Sequence, residues 1–446
     1  MEVHVVSKQD NSKHAAFTLL DTAYLPPLAE SSIRIRTQIL SLTSNNLTYV
    51  RLGDIAHWWD PYPVSDHYPA PYNDNARWGI APAWGYATVE ESTIPELVPG
   101  TVLHGFWPTS AALTDLKLKP SVPKGNWVEV SEHRQQVMPL YNRYVEIPAS
   151  LAEISNASSP TPSQQEKLNR LAWPIVILCR AGSHLNEYVF PVNPETTPIH
   201  PFGSHAGGQE WTAADADLSS AVMLSLGAST KTAKAFAYFF NRRPKETAPL
   251  GFLQVTSSVD RISAATEMAS PTFPSKAIDY SEITSDASLK WLRERSPSKI
   301  VILDFGSRSN SLDLLLNAMK SDVALQSAKV VIVQIGSQQK VYTQDENLAS
   351  VKAFVDLGKV QYNTSSVEDI LIETLGMEKL FTQLNQQAEA LTDHIHECAP
   401  GLELIWGSGV AGAHGIEAGW DRLCRGQVGS EEALVYRVQR ASPTGE

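Results

Sequence analysis

One segment of the chain joins an apolar run to a short group of residues that could bind an anion. It comprises residues 221–240, AVMLSLGASTKTAKAFAYFF. The apolar run ends at Gly227, residues 227–232 read GASTKT, and a helical pattern follows. This pattern predicts a strand, a tight turn and a helix. Such a turn directs backbone N–H groups and the positive end of a helix dipole at one point, which suits the pyrophosphate of a dinucleotide.

The turn departs from the G-x-G-x-x-G pattern of dinucleotide-binding folds. Ser229 and Thr232 stand where the second and third glycines are expected. Their hydroxyl groups and the Lys231 ammonium can donate hydrogen bonds to phosphate oxygens instead. We therefore predict a nucleotide site that includes Gly227, Ala228, Ser229, Lys231 and Thr232. The alternative is an ordinary strand-to-helix turn that binds nothing.

Length and charge limit the classes of function. A chain of 446 residues with 43% hydrophobic content is expected to form two or three domains. The net charge of -12 argues against a nucleic-acid or anionic-membrane surface and favours a small-molecule partner. No signal-peptide pattern opens the sequence, and no apolar run approaches the ~18 residues that span a bilayer, so we expect a cytoplasmic protein. Cys179, Cys398 and Cys424 form no C-x-x-C pair, which argues against a disulfide framework and structural zinc.

The first third of the chain has the pattern of antiparallel β-structure. Residues 33–53 begin with an alternating strand, and further strands are expected at residues 84–89 and 101–107. Between them, residues 56–81 are rich in tryptophan, tyrosine and proline, which predicts an ordered aromatic loop.

The middle of the chain alternates strands with helices. Apolar strands are expected at residues 251–255, 277–280, 299–303 and 329–335, the last two ending near Gly306 and Gly336. This rhythm predicts a doubly wound parallel sheet with ligands at the carboxyl ends of its strands. The last hundred residues contain helical patterns and a closing strand at residues 433–438, which we expect to return to the β-rich unit.

Four segments carry a resemblance to a known family. They are SNNLTYVRLGD (residues 44–54), RWGIAPAWGYATV (77–89), LHGFWP (103–108) and LSLGASTKTA (224–233). With the order of elements, they resemble the medium-chain dehydrogenase/reductase superfamily over nearly the whole chain, especially its zinc-free quinone oxidoreductase and enoyl reductase branch. They are closer still to a domain-of-unknown-function branch of that superfamily.

The resemblance implies an α/β fold with a GroES-like β-rich catalytic domain and a Rossmann-type doubly wound parallel sheet. We predict the β-rich domain at residues 1–176, the dinucleotide-binding domain at 177–376 and the return to the β-rich domain at 377–446. The chain lacks the cysteine and Gly-His-Glu arrangement that binds zinc in other members, so no metal is expected. Members often dimerise through the edge of the cofactor sheet, which implies a homodimer through residues 360–362.

The resemblance also suggests individual roles. Tyr49 is similar to the tyrosine that lies near the substrate and the nicotinamide, and Asn45 and Asn46 resemble the polar residue before it. Tyr280 is similar to a tyrosine that contacts the cofactor phosphate. His104 is a second candidate acid, because histidine titrates near neutral pH. The alternative for Tyr49 is a packed tyrosine with a satisfied hydroxyl.

The end of the second parallel strand bears on the choice of cofactor. Thr256 and Ser257 can donate hydrogen bonds, and Arg261 can contact a phosphate in a bidentate manner, so we predict NADP over NAD. An exposed helical arginine is the alternative. Gly306 and Gly336 would let the nicotinamide ribose approach the backbone, although glycine after a strand is also ordinary turn chemistry.

Four tryptophans could bind a flat substrate. We predict that Trp58, Trp59, Trp84 and Trp107 wall a pocket for a planar polyketide or aromatic molecule, with core packing as the alternative.

Together these features favour an NADPH-dependent, metal-free reductase of an activated double bond or carbonyl, a type of enzyme used in secondary metabolism. Because the glycine turn is altered, a cofactor-independent isomerase, dehydratase or lyase on the same scaffold remains an alternative. A catalytically silent binding protein is a third.

Overall fold

The computed structural model describes residues 1–19, 26–147, 160–208, 210–308 and 310–439. Within these ranges, no helix has the length and apolar character needed to cross a membrane. The chain divides into two compact units. The β-rich unit comprises Met1–Val176, Gln339–Val341 and Glu403–Glu446, and the parallel-sheet unit comprises Ile177–Gln338 and Tyr342–Leu402.

The elements follow in chain order. The strands are β1 (Glu2–Ser7), β2 (His14–Thr18), β3 (Ser32–Leu42), β4 (Trp78–Gly79), β5 (Pro82–Ser92), β6 (Val102–Pro108), β7 (Thr114–Ser121), β8 (Asn126–Glu129), β9 (Arg143–Glu146), β10 (Ala221–Leu226), β11 (Gly251–Val255), β12 (Ser275–Ile278), β13 (Lys299–Phe305), β14 (Lys329–Gly336), β15 (Val360–Gln361), β16 (Glu403–Ser408) and β17 (Glu432–Arg437). The α-helices are α1 (Ser44–Arg51), α2 (Pro162–Val176), α3 (Cys179–His184), α4 (Ala213–Ala216), α5 (Lys231–Phe240), α6 (Val259–Ala269), α7 (Asp286–Arg293), α8 (Ser311–Ser321), α9 (Gln344–Asp356), α10 (Thr364–Leu375), α11 (Met377–Asp393), α12 (Ile395–Cys398) and α13 (Ile416–Cys424).

The β-rich unit is built on a sheet that closes on itself. Its strands pair in the order β3-β5-β6-β9-β8-β7, and β7 pairs back with the first half of β3. The second half of β3 pairs instead with β17, which is followed by β16. Register shifts between Arg34 and Ile35 and between Thr37 and Ile39 let one long strand serve both sets of partners, because bulges bend a strand. The predicted β-rich unit is therefore confirmed, and its closing strand does come from the C-terminal region.

The parallel-sheet unit contains six parallel strands in the order β12-β11-β10-β13-β14-β15 among the described residues. This is the doubly wound order, in which the winding reverses between β10 and β13. β10 and β11 are buried along their whole length, which explains why their sequences are apolar without alternation. The predicted Rossmann-type sheet is confirmed.

Two features differ from the sequence analysis. Residues 377–402, assigned there to the C-terminal return, belong to the parallel-sheet unit, because Leu380, Phe381 and Leu384 of α11 are buried in the core that also contains Phe236. Strand β16 is not among the strands expected from the sequence. It is a partly exposed strand paired in parallel with β17, so its sequence lacks an alternating pattern.

Candidate active site

A capped helix positions the first group of candidate residues. The Thr43 side chain accepts a hydrogen bond at the start of α1, and its backbone N–H donates to Asn46 Oδ1 at 2.7 Å. Asn46 is buried and also donates to the Pro82 carbonyl at 2.9 Å, so its amide is used in holding the helix. Asn45 lies one helical turn before Tyr49 and hydrogen-bonds with its hydroxyl.

The Tyr49 hydroxyl lies in a buried polar group of the β-rich unit. It accepts a hydrogen bond from Trp84 Nε1 at 3.2 Å and also bonds with Tyr141 and Asn45. Burial raises the pKa of Tyr49 to about 12, with the three hydrogen bonds opposing the shift. The phenol is therefore protonated at neutral pH. Because an indole N–H can only donate, the bond from Trp84 does not use the Tyr49 proton.

Four aromatic side chains pack around Tyr49, and with it they form what we call the Tyr49 cluster: Tyr49, Trp58, Trp84, Phe106 and Tyr141. The Tyr49 ring lies edge-on to Trp58, Phe106 and Tyr141, with centroids 4.9, 5.1 and 5.8 Å away. Trp58 is 7% exposed, and its indole N–H has no hydrogen-bond partner among the described residues. The cluster thus offers flat apolar faces together with polar hydrogens.

His104 adjoins the cluster. It stacks on Trp84 with the ring centroids 5.7 Å apart and the planes 16° from parallel. It precedes Phe106 by two residues on β6, so both side chains project from the same face of the strand.

The other two tryptophans predicted to bind substrate lie elsewhere. The Trp59 ring packs closely against Gly53 and Gly79 in the main core of the unit. Trp107 is fully buried in the same core and donates its indole N–H to the Gly85 carbonyl at 3.1 Å. Each is adjacent in sequence to a member of the Tyr49 cluster, but its side chain points the other way.

Sequence reasoning missed Phe106 and Tyr141. Phe106 could have been found from its two-residue spacing from His104 on a strand. Tyr141 lies in a short 3-10 turn, Pro139–Asn142, whose place in the cluster depends on contacts distant in sequence.

The predicted nucleotide turn of the parallel-sheet unit begins at Gly227. Gly227 has a φ of +78°, a conformation that favours glycine, and lies against the backbone of Gly306. Gly306 has a φ of +108°, and a Cβ there would lie 2.5 Å from the Ser337 carbonyl oxygen. Gly336 similarly lies against the Phe305 backbone. The carboxyl ends of β10, β13 and β14 therefore lie side by side, with Gly227 against Gly306 at the point where the winding reverses.

Some backbone N–H groups of the turn are already bonded. Ala228 donates to the Val255 carbonyl at 3.0 Å, and Thr230 donates to the Gly227 carbonyl at 2.9 Å. Thr230 caps α5 by accepting from the Ala233 N–H. Lys231 and Thr232 open α5, so the N–H groups of the first helical turn lie beside the partly exposed Ser229.

Tyr280 adjoins the same turn. Its hydroxyl accepts hydrogen bonds from the backbone N–H groups of Gly227 and Arg308, and burial raises its pKa while the Arg308 charge opposes the shift. The Arg308 guanidinium lies over the Tyr280 ring, 5.6 Å from its centroid. Arg308 also donates to Ser257 Oγ at 3.0 Å. The structure thus brings Tyr280, Ser257 and the Gly227 turn together through Arg308, which the sequence analysis did not single out.

The remaining predicted cofactor residues are placed differently. Thr256 is fully buried, and its hydroxyl accepts from the Ser258 N–H at 3.0 Å, which shapes the end of β11. The Arg261 side chain lies against Gly401. Arg308 and not Arg261 is hydrogen-bonded to Ser257, because the loop after β13 comes alongside the end of β11.

These residues fit a dinucleotide. Gly227 gives a backbone without a side chain at the helix start, and Ser229, Lys231 and Thr232 surround the helix N-terminus, which favours an anion. Ser257 and Arg308 are both exposed and supply a hydroxyl and a guanidinium at the end of the neighbouring strand. Within the described ranges, no group of three or more His, Cys, Asp or Glu residues is arranged to hold a metal ion.

The fold and these sites define an α/β protein with a closed antiparallel β-unit and a Rossmann-type unit. Residues 40–429 match the family model described as "Protein of unknown function (DUF2855)", and the chain belongs to this family. No curated protein sequence matches the chain.

Solved structures are similar at low identity. CurA from Vibrio vulnificus, in complex with NADPH, is 8% identical with a TM-score of 0.48, covering 98% of this chain and 99% of that chain. A mutant form of enoyl thioester reductase from Candida tropicalis is 10% identical with a TM-score of 0.49 and the same coverage. CurK enoyl reductase is 9% identical with a TM-score of 0.46, again covering 98% and 99%.

Proposed function

We propose that this protein is an NADPH-dependent, metal-free reductase of the medium-chain dehydrogenase/reductase type. Its substrate would be a small aromatic or polyketide-like molecule with an activated double bond or carbonyl. The observation that carries the proposal is the contact between the glycine turn after β10 and the Tyr280–Arg308–Ser257 group at the reversal point of a doubly wound sheet.

The turn would hold the pyrophosphate. The N–H groups at the start of α5, the Ser229 and Thr232 hydroxyls and the Lys231 ammonium can donate to its oxygens. Gly306 and Gly336 keep side chains away from the adjoining strand ends, where the nicotinamide ribose would lie.

The choice of NADP over NAD rests on Ser257 and Arg308. Residues 256–258 at the end of β11 carry hydroxyl groups and no carboxylate that would accept a hydrogen bond from a ribose 2′-OH. A guanidinium and a hydroxyl in contact are suited to a 2′-phosphate.

The Tyr49 cluster would bind and protonate the substrate. Bound NADPH supplies a hydride. Tyr49 holds a proton on Oη at neutral pH, with the hydroxyl oriented by Trp84, and can donate it to the oxygen or carbon that gains negative charge. The faces of Trp58 and Trp84 suit a planar substrate, and His104 is a second candidate acid beside Trp84.

Calorimetric titration with NADPH, NADP+, NADH and NAD+ tests the cofactor. We expect the 2′-phosphorylated pair to bind at least tenfold more tightly than the other pair, about 1.4 kcal/mol or more. Arg308→Ala should remove that preference, whereas Arg261→Ala is the matched control and should retain it. The assignment to Arg308 is wrong if Arg261→Ala loses the preference and Arg308→Ala keeps it.

A cofactor-independent isomerase, dehydratase or lyase is the second candidate. It is favoured by the internal hydrogen bonds of Ala228 and Thr230, which occupy two of the turn's N–H groups. Absence of binding for all four nucleotides, together with a product of unchanged oxidation state, would establish this alternative over the reductase.

A further inference from the structure

Arg134 forms the centre of a buried polar network in the β-rich unit. Its side chain is fully buried, and its charge faces the equally buried carboxylate of Glu129, with Nε 3.4 Å from Oε2. Nε also donates to Asn142 Oδ1 at 3.0 Å. A buried ion pair contributes little net stability compared with apolar packing of the same volume. We therefore consider which neighbouring groups Arg134 orients.

The network reaches the Tyr49 cluster by two routes. In the first, Arg134 Nη2 donates to the Tyr141 carbonyl at 3.1 Å and so fixes the turn that carries the Tyr141 ring. In the second, Nη2 donates to the Tyr144 hydroxyl at 2.8 Å, and Nη1 donates to the Tyr62 hydroxyl at 3.4 Å.

The second route ends on Phe106. A guanidinium can only donate, so the Tyr144 and Tyr62 hydroxyls accept from Arg134 and turn their own protons elsewhere. Both hydroxyls donate to the Phe106 carbonyl, Tyr144 at 3.1 Å and Tyr62 at a shorter distance. One side chain therefore holds the backbone of Phe106 and that of Tyr141.

Phe106 and Tyr141 are walls of the Tyr49 cluster. Their rings lie 4.7 Å apart, and each contacts both Tyr49 and Trp84. A shift of either wall would alter the contact in which Trp84 Nε1 donates to the Tyr49 hydroxyl.

We propose that Arg134 is a positioning residue for the Tyr49 site. Its hydrogen bonds hold the backbone of Tyr141 directly and that of Phe106 through the Tyr144 and Tyr62 hydroxyls. The positions of these two rings then determine the geometry of the Trp84–Tyr49 hydrogen bond. The consequence for the reaction rests on the proposed function, in which Tyr49 is the proton donor, but the positioning itself can be measured without nucleotide or substrate.

The test follows the indole proton of Trp84 by NMR in the full-length protein labelled with 15N-tryptophan. The chain has 11 tryptophans, and the Trp84 signal is the one lost in Trp84→Phe. Arg134→Lys keeps the charge but lacks the planar fork, so we expect a displaced Trp84 signal and exchange of its proton with water at least about tenfold faster. If reductase activity is found, kcat should fall about tenfold while KM stays within about threefold.

Arg143→Lys is the matched control. Arg143 is also buried, on β9 of the same unit, and donates to Asn126 Oδ1 at 3.1 Å. Arg143→Lys should leave the Trp84 signal in place while lowering the melting temperature about as much as Arg134→Lys does. An unchanged Trp84 signal in folded Arg134→Lys, or an equal displacement in Arg143→Lys, would overturn the proposal.

Should Arg134→Lys not fold, Tyr144→Phe tests the same route. It removes the hydroxyl between Arg134 and Phe106 and retains the ring, so a smaller displacement of the Trp84 signal is expected. A wild-type Trp84 signal in that variant would count against the proposal, whereas failure of nucleotide binding would count only against the proposed function.

Discussion

At the scale of single residues, Tyr49 combines burial with a defined hydrogen-bond pattern. Its ring packs within an aromatic cluster, and its hydroxyl accepts from a group that can only donate. Burial alone would make it a core residue, whereas the proton that it keeps at neutral pH is what the proposed acid role requires.

Tyr49→Phe separates these two roles. The ring is retained, so we expect melting within a few degrees of wild type and unchanged NADPH affinity. Loss of the proton donor should lower kcat about 10²-fold, the lower end of the range for a general acid. Tyr436→Phe, at another buried tyrosine of the same unit, serves as the control and should keep full activity. Wild-type kcat in Tyr49→Phe would remove Tyr49 from the mechanism.

The raised pKa of Tyr49 predicts the pH dependence. A tyrosine in the unfolded chain has a pKa of about 10, and the folded value is about 12. The contribution of Tyr49 to the free energy of unfolding is therefore complete below the unfolded pKa. It is lost as the pH rises from the unfolded pKa through the folded pKa. As the acid, Tyr49 stays protonated at neutral pH, so the kcat profile should show no fall due to this group below about pH 11. A decline between about pH 7 and 9 that persists in Tyr436→Phe and vanishes in Tyr49→Phe would contradict this assignment.

At the scale of elements, the ends of the parallel strands are held by close backbone approach. Gly306 combines a positive φ with a neighbouring carbonyl, whereas at Gly376, with a φ of +80°, no atom of the described residues lies within 4 Å of where a Cβ would be. The two positions thus separate conformational strain from steric contact.

Gly306→Ala should cost more than Gly376→Ala. Strain at a positive φ costs about 1–3 kcal/mol at either position, and the contact with the Ser337 carbonyl adds to it at Gly306. Thermal unfolding of both variants and NADPH titration measure the difference. We expect weaker NADPH binding only in Gly306→Ala. Equal effects of the two substitutions on melting temperature and on NADPH affinity would show that the loop at Gly306 does not shape a nucleotide site.

At the scale of the whole molecule, the chain contains two units that differ in how far apart in sequence their paired strands lie. The closed sheet of the β-rich unit depends on pairings between distant segments, such as β3 with β17. The parallel-sheet unit is formed mainly from consecutive strands and helices.

Cofactor binding should be visible as stability of the whole protein. A ligand that binds only the native state at 100 times its Kd adds about 2.7 kcal/mol, and for a chain of 446 residues NADPH should then raise the melting temperature by roughly 3 °C. NADH at the same concentration should have a smaller effect, and Arg308→Ala should respond equally to both. Absence of any shift with NADPH would favour cofactor-independent chemistry.

The sequence alone was sufficient for the features that depend on neighbouring residues. The continuous apolar runs identified β10, β11 and β13, because strands buried on both faces need no polar alternation. Gly227 marked the turn, since only a residue without a Cβ adopts its φ without strain. The doubly wound class followed from the alternation of strands and helices.

Only the tertiary structure decided which side chains share a site. Trp58 and Trp59 are neighbours in sequence, yet one joins the Tyr49 cluster and the other the main core. Tyr141 and Arg308 reach their partners Tyr49 and Ser257 from segments 92 and 51 residues away, respectively. Pairing between distant segments is set by packing of the complete units, and local patterns do not specify it.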